Sequence, residues 1–131
     1  MHRSRVTNLI IDSDDLERNL AFWSAALGID NWGLDGPEDN YGVLKESVGG
    51  LHVELQRVPE RKTAKNRVHL DIETDDVDAE VHRLEELGAT RVEEHRGARV
   101  RWWIMQDPCG NEFCVTGVQS DAWPEGARSW P

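Results

Sequence analysis

Positive charge is what this chain is short of: 15 Lys and Arg stand against 25 Asp and Glu, a formal charge of −10 over 131 residues. Nucleic acid and anionic lipid are gripped through an excess of Lys and Arg, so neither is an expected partner. Cysteine is scarce as well. Cys109 and Cys114 are the only two, too few to staple a secreted fold. Long apolar runs are missing: Leu9, Ile10 and Ile11 end at Asp12, well short of the core of about 7–15 residues that a signal peptide needs. Nothing approaches membrane-spanning length. These absences point to a reduced, cytoplasmic protein, and 131 residues with 38% hydrophobic content suit one compact domain over 1–131.

What is present is an internal duplication with a period of about sixty residues. Arg5-Val6-Thr7-Asn8-Leu9-Ile10-Ile11, followed by Asp14-Asp15-Leu16, returns as Arg67-Val68-His69-Leu70-Asp71-Ile72, followed by Asp75-Asp76-Val77. Gly49-Gly50-Leu51-His52-Val53-Glu54-Leu55-Gln56 returns as Cys109-Gly110-Asn111-Glu112-Phe113-Cys114-Val115-Thr116. Asn8 thus falls on His69, and Glu54 on Cys114.

Each copy holds two periodicities. Leu16, Leu20, Trp23 and Leu27 recur at helical spacing, with Asp14 and Glu17 as a capping pair and Gly28 as the stop. Val77, Val81, Leu84 and Leu87 repeat the pattern, opened by Thr74 or Asp75 and closed by Gly88. The flanking segments alternate instead. Leu51, Val53 and Leu55 against His52, Glu54 and Gln56 read as a half-buried strand, as do Val68, Leu70 and Ile72 against His69, Asp71 and Glu73. Phe113 and Val115 against Glu112, Cys114 and Thr116 give a third. Turn signals separate further strands near 30–34, 40–47, 90–95 and 99–106. The expected architecture is α+β: tandem βαβββ modules at 5–57 and 67–118, a linker at 58–66 and a tail at 119–131. Each helix packs outside its β-sheet, and a groove lies between the sheets.

If each sheet buries its apolar face on a helix, the alternate polar residues share the other face. That face carries Asn8, His52, Glu54, Gln56, His69, Asp71, Glu112, Cys114 and Thr116. A solvated outer face would be polar too, but Arg101-Trp102-Trp103-Ile104-Met105 must send one Trp to each side, so one Trp joins the polar set. Trp32 and Tyr41 are further candidate walls for a planar or aliphatic ligand.

The tandem module, His69-Leu70-Asp71-Ile72 opening its second copy, and Asp107-Pro108-Cys109-Gly110-Asn111 before the last strand resemble the vicinal oxygen chelate superfamily. This is the group of glyoxalases, bleomycin-resistance proteins and extradiol dioxygenases. The stretch 56–71 is most similar to its glyoxalase-like domain subgroup. The resemblance implies a divalent metal held by one side chain from each of the first, fourth, fifth and eighth strands, here Asn8, Glu54, His69 and Cys114. Glu54 and His69 match the glyoxalase pattern; Asn8 and Cys114 depart from it. Glu112 lies two residues before the ligand position on the same face.

Chemistry narrows the choices. An iron oxygenase needs two His and a carboxylate; His69 and Glu54 stand where ligands are expected but no second His does, so a dioxygenase is not expected. His69, Glu54 and Cys114 can hold zinc, with nickel or manganese as further candidates, although Cys114 reads first as a small buried hydrophobe. Without metal, His69, Glu54 and Glu112 are candidate catalytic groups for proton transfer beside a carbonyl. Asn8, His52, Gln56, Trp102, Trp103 and Cys114 are candidate substrate contacts. The expected function is a lyase or isomerase step on a small molecule; the alternative is a non-catalytic protein that sequesters a ligand, as bleomycin-resistance members do. The basic run Arg57, Arg61, Lys62, Lys65 and Arg67 reads as a solvated linker. His2, His82 and His95 read as surface residues. The tail, with Trp123 and Trp130, is expected to cover a sheet edge or a partner, and a homodimer is the expected state.

Overall fold

Hydrophobic periodicity turns into two compact units, residues 1–62 and 63–131, in a computed structural model that describes residues 1–3 and 5–131. The boundary falls inside the basic stretch.

In the first unit the order is β1 (Asn8–Ser13), α1 (Leu16–Leu27), β2 (Tyr41–Val43) and β3 (His52–Arg57). The sheet runs β1-β3-β2, with β1 parallel and β2 antiparallel to β3. Asp15, one residue after the expected cap, starts α1 by accepting from the Arg18 amide. Gly28 ends it in the left-handed region at φ 66°, where its N–H reaches the carbonyls of Ser24 and Ala25. Leu16, Leu20 and Trp23 on α1 are buried, as are Val53 and Leu55 on β3. The strand expected at 30–34 shrinks to a single bridge between Asn31 and Leu44. Gly33, at φ 74°, turns the chain there and donates to the Asn31 side chain, so the extended run stops.

In the second unit the order is β4 (Asp71–Thr74), α2 (Val77–Leu87), β5 (Thr90–Arg96), β6 (Arg101–Gln106) and β7 (Glu112–Gly117). The sheet runs β4-β7-β6-β5, with only the β4–β7 pair parallel. Two helices and two mixed sheets make the α+β class expected of the tandem module. Val81 and Leu84 are fully buried on α2, together with Met105, Phe113 and Val115 from the sheet. Asp76 caps α2 by accepting from Ala79, while Thr74 accepts from the Asp76 amide. The strand expected from Val68 begins only at Asp71, and Val68 is exposed. The Glu112 carbonyl, which would carry the parallel ladder back toward Val68, accepts from the Asn66 side chain instead.

The turn before β7 is built by one buried carboxylate. Asp107 Oδ1 accepts from the amides of Cys109 and Asn111, and its Oδ2 accepts from the Asn111 side chain at 3.0 Å. That set of bonds gives a physical reason for Asp-Pro-x-Gly-Asn at this position.

The basic stretch is not simply solvated. Arg57 makes a bidentate pair with Glu17, and Lys65 binds Glu112 at 2.9 Å. The tail also returns to its own chain. Glu73 accepts from the amides of Gln119 and Ser120, and the Trp130 ring lies 3.8 Å from the Arg83 guanidinium on α2. Among the described residues no helix is long and apolar enough to cross a membrane.

Arg101 on β6 bridges Asp78 on α2 and Glu94 on β5, and its hydrogen bonds hold the Asp78 carboxyl below the usual carboxylate range. A lowered folded value gives stability that is present above the unfolded Asp range and is lost as pH falls through Asp78's own value. Both partners meet solvent, so the effect is small. In acid-unfolding curves, Asp78→Asn should lower stability slightly at neutral pH and converge with the parent at the acid end.

Candidate functional site

Strand alternation sorts the candidate residues by face. In the first unit, register pairs Asn8 with His52, Ile10 with Glu54, and Asp12 with Gln56. These side chains share the face away from the buried Val53 and Leu55. Tyr41 joins them opposite Gln56, whose side-chain amide donates to the Tyr41 hydroxyl at 3.3 Å. Glu54 is half-buried, and Asn8 and His52 are exposed. Trp32 is exposed, with the Lys45 ammonium 4.8 Å from its ring centroid.

In the second unit, Asp71 pairs with Cys114, Cys114 with Ile104, and Ile104 with Glu93; the next row is Glu73, Thr116, Trp102 and His95. Trp102 is therefore on the Cys114 face. Trp103 is on the opposite one, in the row of Val115, where the Arg91 guanidinium lies 5.1 Å from its ring. Of the two candidate Trp contacts, only Trp102 shares the polar face. A bulge between Arg91 and Glu93 shifts the parity of β5 and brings Glu93 and His95 to this face. His95, read from sequence as a surface residue, stacks on Trp102 with centroids 5.1 Å apart and an 8° interplanar angle. No sequence pattern announces that bulge.

The chemistry gathers at one end of the same face. His69, just before β4, places Nε2 3.3 Å from Asp71 Oδ1. The donor atoms of His69, Asp71 and Cys114 all lie within 4.8 Å of one another. His69 and Asp71 are about half exposed, and Cys114 is half-buried. Burial pushes the Cys114 thiol up, and the Asp71 carboxylate adds to the shift. Glu112 lies two residues before Cys114 on the same face of β7. Its carboxylate is bound by Lys65, whose ammonium is raised mainly by that hydrogen bond.

The structure thus brings His69 and Cys114 together and adds Asp71, a residue that alternation put on the polar face without marking as a ligand. Its signal in the sequence was the spacing His69-x-Asp71, two positions that strand alternation assigns to one face. Asn8 and Glu54 sit with His52 and Gln56 on the polar face of the first unit. A set of imidazole, carboxylate and thiol fits a divalent cation of the zinc type.

Comparisons with known proteins agree with the fold. The family model for the glyoxalase-like domain matches residues 8–116. Among solved structures, a glyoxalase/bleomycin resistance protein/dioxygenase family enzyme from Burkholderia phytofirmans PsJN superposes with a TM-score of 0.69 at 17% identity. The match covers 88% of this chain and 100% of that one. A fosfomycin resistance protein from Mesorhizobium loti gives 0.65 at 16% identity over 91% of this chain and 95% of its own. A lactoylglutathione lyase from Agrobacterium tumefaciens gives 0.60 at 22% identity over 94% and 98%. No curated protein matches by sequence.

Proposed function

The chain belongs to the glyoxalase-like domain family, within the vicinal oxygen chelate superfamily, and from that premise we propose that it is a small-molecule enzyme performing a lyase or isomerase step by proton transfer. The observation that carries this reading is the His69–Asp71 contact on an open sheet face, beside Cys114 and in line with Glu112. A carboxylate at one imidazole nitrogen fixes the tautomer and leaves the other nitrogen with a lone pair. His69 then takes a proton from carbon beside a carbonyl and, as imidazolium, returns it to a neighbouring atom, with the Glu112 carboxylate, held by Lys65, as a second proton acceptor. Trp102, stacked on His95, is the flat wall for an apolar part of the ligand. On the first unit, Asn8, His52 and Gln56 are hydrogen-bonding contacts for a ligand, and Glu54 is an acid or a metal ligand. A divalent metal, zinc, nickel or manganese, when bound by such residues, polarises a substrate oxygen. We place the protein in the cytoplasm as a homodimer, a state that light scattering on the purified chain tests.

The test uses a panel of small carbonyl compounds with an acidic C–H, incubated with the protein in D2O and followed by proton NMR. Deuterium replacing the activated hydrogen, or a rearranged product, supports the reading; so does its loss in His69→Ala. A second reading has its own support in Asn8 and Cys114, two positions where the side chains depart from the superfamily's usual metal donors. It makes the protein a binder that sequesters its ligand unchanged. Line broadening of one panel member with no exchange and no product would favour that reading and overturn the enzyme.

A further inference from the structure

Trp32 leaves 71% of its surface to solvent although backbone hydrogen bonds hold its segment in place. Its N–H donates to the Val43 carbonyl at 3.1 Å, the Lys45 N–H donates to the Asp30 carbonyl at 2.8 Å, and Asn31 bridges Leu44 between them. These antiparallel contacts set parity as a full strand would: Leu44 is fully buried, so Trp32 and Val43 point to the other face. Register continues from Val43 to Glu54 and from Glu54 to Ile10. Trp32, Val43, Glu54 and Ile10 therefore form one row across the open face of the first sheet. Ile10 is exposed as well, as is Tyr41 in the next row. Large apolar side chains exposed together on one face mark a binding surface.

Charge fixes what this surface accepts. Lys45, two residues past Val43, has the same parity, and its ammonium lies 4.8 Å from the Trp32 ring centroid. In a chain where acids outnumber bases 25 to 15, Arg57, Lys65, Arg83, Arg91 and Arg101 all have carboxylate partners. Among the described residues Lys45 makes no ion pair. The Leu44 amide donates to Val53, so Lys45 follows it toward the His52 end of the sheet, where the imidazole is a second donor. Asp30, opposite Lys45, and Glu54, one row away, oppose a second negative charge on a ligand. We infer that this face is a subsite for a planar organic monoanion: its flat apolar part lies on Trp32 and Val43, and its carboxylate accepts from Lys45 and His52. Lys45 and Trp32 are then the residues that set specificity. The inference rests on the proposed function for its use, and it makes the carbonyl substrate of that reading a planar keto acid.

The experiment is a titration of the full chain with benzoylformate, a planar keto acid without an acidic C–H, with its methyl ester and with pyruvate. Binding is followed by ligand line broadening and by the Trp32 indole N–H signal, assigned with Trp32→Phe. Benzoylformate should bind about tenfold more tightly than the ester, the factor that one charge-assisted hydrogen bond supplies. It should also bind about tenfold more tightly than pyruvate, which lacks a ring to stack. Lys45→Gln should remove the preference for acid over ester, and Trp32→Ala the preference for benzoylformate over pyruvate. Circular dichroism confirms that both variants are folded; if Trp32→Ala is not, Lys45→Gln decides. No binding of benzoylformate, equal affinity for acid and ester, or an unchanged preference in Lys45→Gln would each overturn the subsite. Deuterium exchange on the carbonyl panel that Lys45→Gln leaves untouched, with no Lys45-dependent binding, would remove the subsite and keep the proton-transfer reading. Lys45-dependent binding with no exchange on any panel member would do the reverse.

Discussion

Replacing His69 by Ala should lower kcat/KM on any substrate identified for this protein by about 10²–10⁴-fold, the range over which a positioned acid–base group contributes. His69 is the group on which every catalytic reading of the second unit depends. It contacts Asp71 at 3.3 Å and is one of the three clustered donors, so its removal deletes either the base or a metal ligand. The two roles separate by kinetics. Asp71→Asn keeps the shape but removes the charge that orients the imidazole. For a base, this should reduce kcat with little change in KM and alter the pH profile; for a metal ligand, added zinc should partly restore the rate. The side chain of His69 is about half exposed, so the Ala variant costs little stability, and a thermal melt close to that of the parent should confirm it. Full activity in His69→Ala at an unchanged melting temperature would remove the catalytic assignment.

Phe113→Ala should cost about 3–5 kcal/mol of folding stability, the usual loss for a large core aromatic, through both the lost transfer energy and the cavity left behind. Phe113 is 1% exposed and pairs in register with the fully buried Met105. For a chain of this size the melting temperature should fall by roughly 10–20 °C. A functional consequence follows from position, because Phe113 stands between Glu112 and Cys114 on β7. Its side chain holds down the strand that carries both polar residues on the other face. Phe113→Leu, which keeps most of the volume, should recover most of the stability. Calorimetry of the three proteins checks the series; a loss under 1 kcal/mol in Phe113→Ala would mean that β7 is anchored elsewhere.

Much of this was legible in the residues themselves. The stops at Gly28 and Gly88, the buried stripes of α1 and α2, and the sharing of one face by Glu112, Cys114 and Thr116 all follow from local rules. Helical and strand periodicities expose burial directly, and glycine has a unique freedom at a helix end. The Asp107 turn was visible as a motif, and its hydrogen bonds explain why the motif has that spelling. The late start of β4 and the loss of the strand at 30–34 were not visible. A strand exists only where a partner offers its backbone groups, and at those two places the Asn66 amide and the Gly33 turn supply the alternatives.

The sequence by itself determined the tandem module, the two helices, which side chains are apolar, and that His69, Asp71 and Cys114 belong to one polar set. These properties depend on spacing of 3.6 or 2 along the chain, which any single strand or helix displays. Tertiary structure decided which of the polar residues meet. Only the parallel pairing of β4 with β7 sets Asp71 beside Cys114. Only the bulge in β5 turns His95 onto Trp102, and only the return of the basic stretch puts Lys65 on Glu112. Register, bulges and loop returns are fixed by contacts between segments distant in sequence, so no local pattern encodes them.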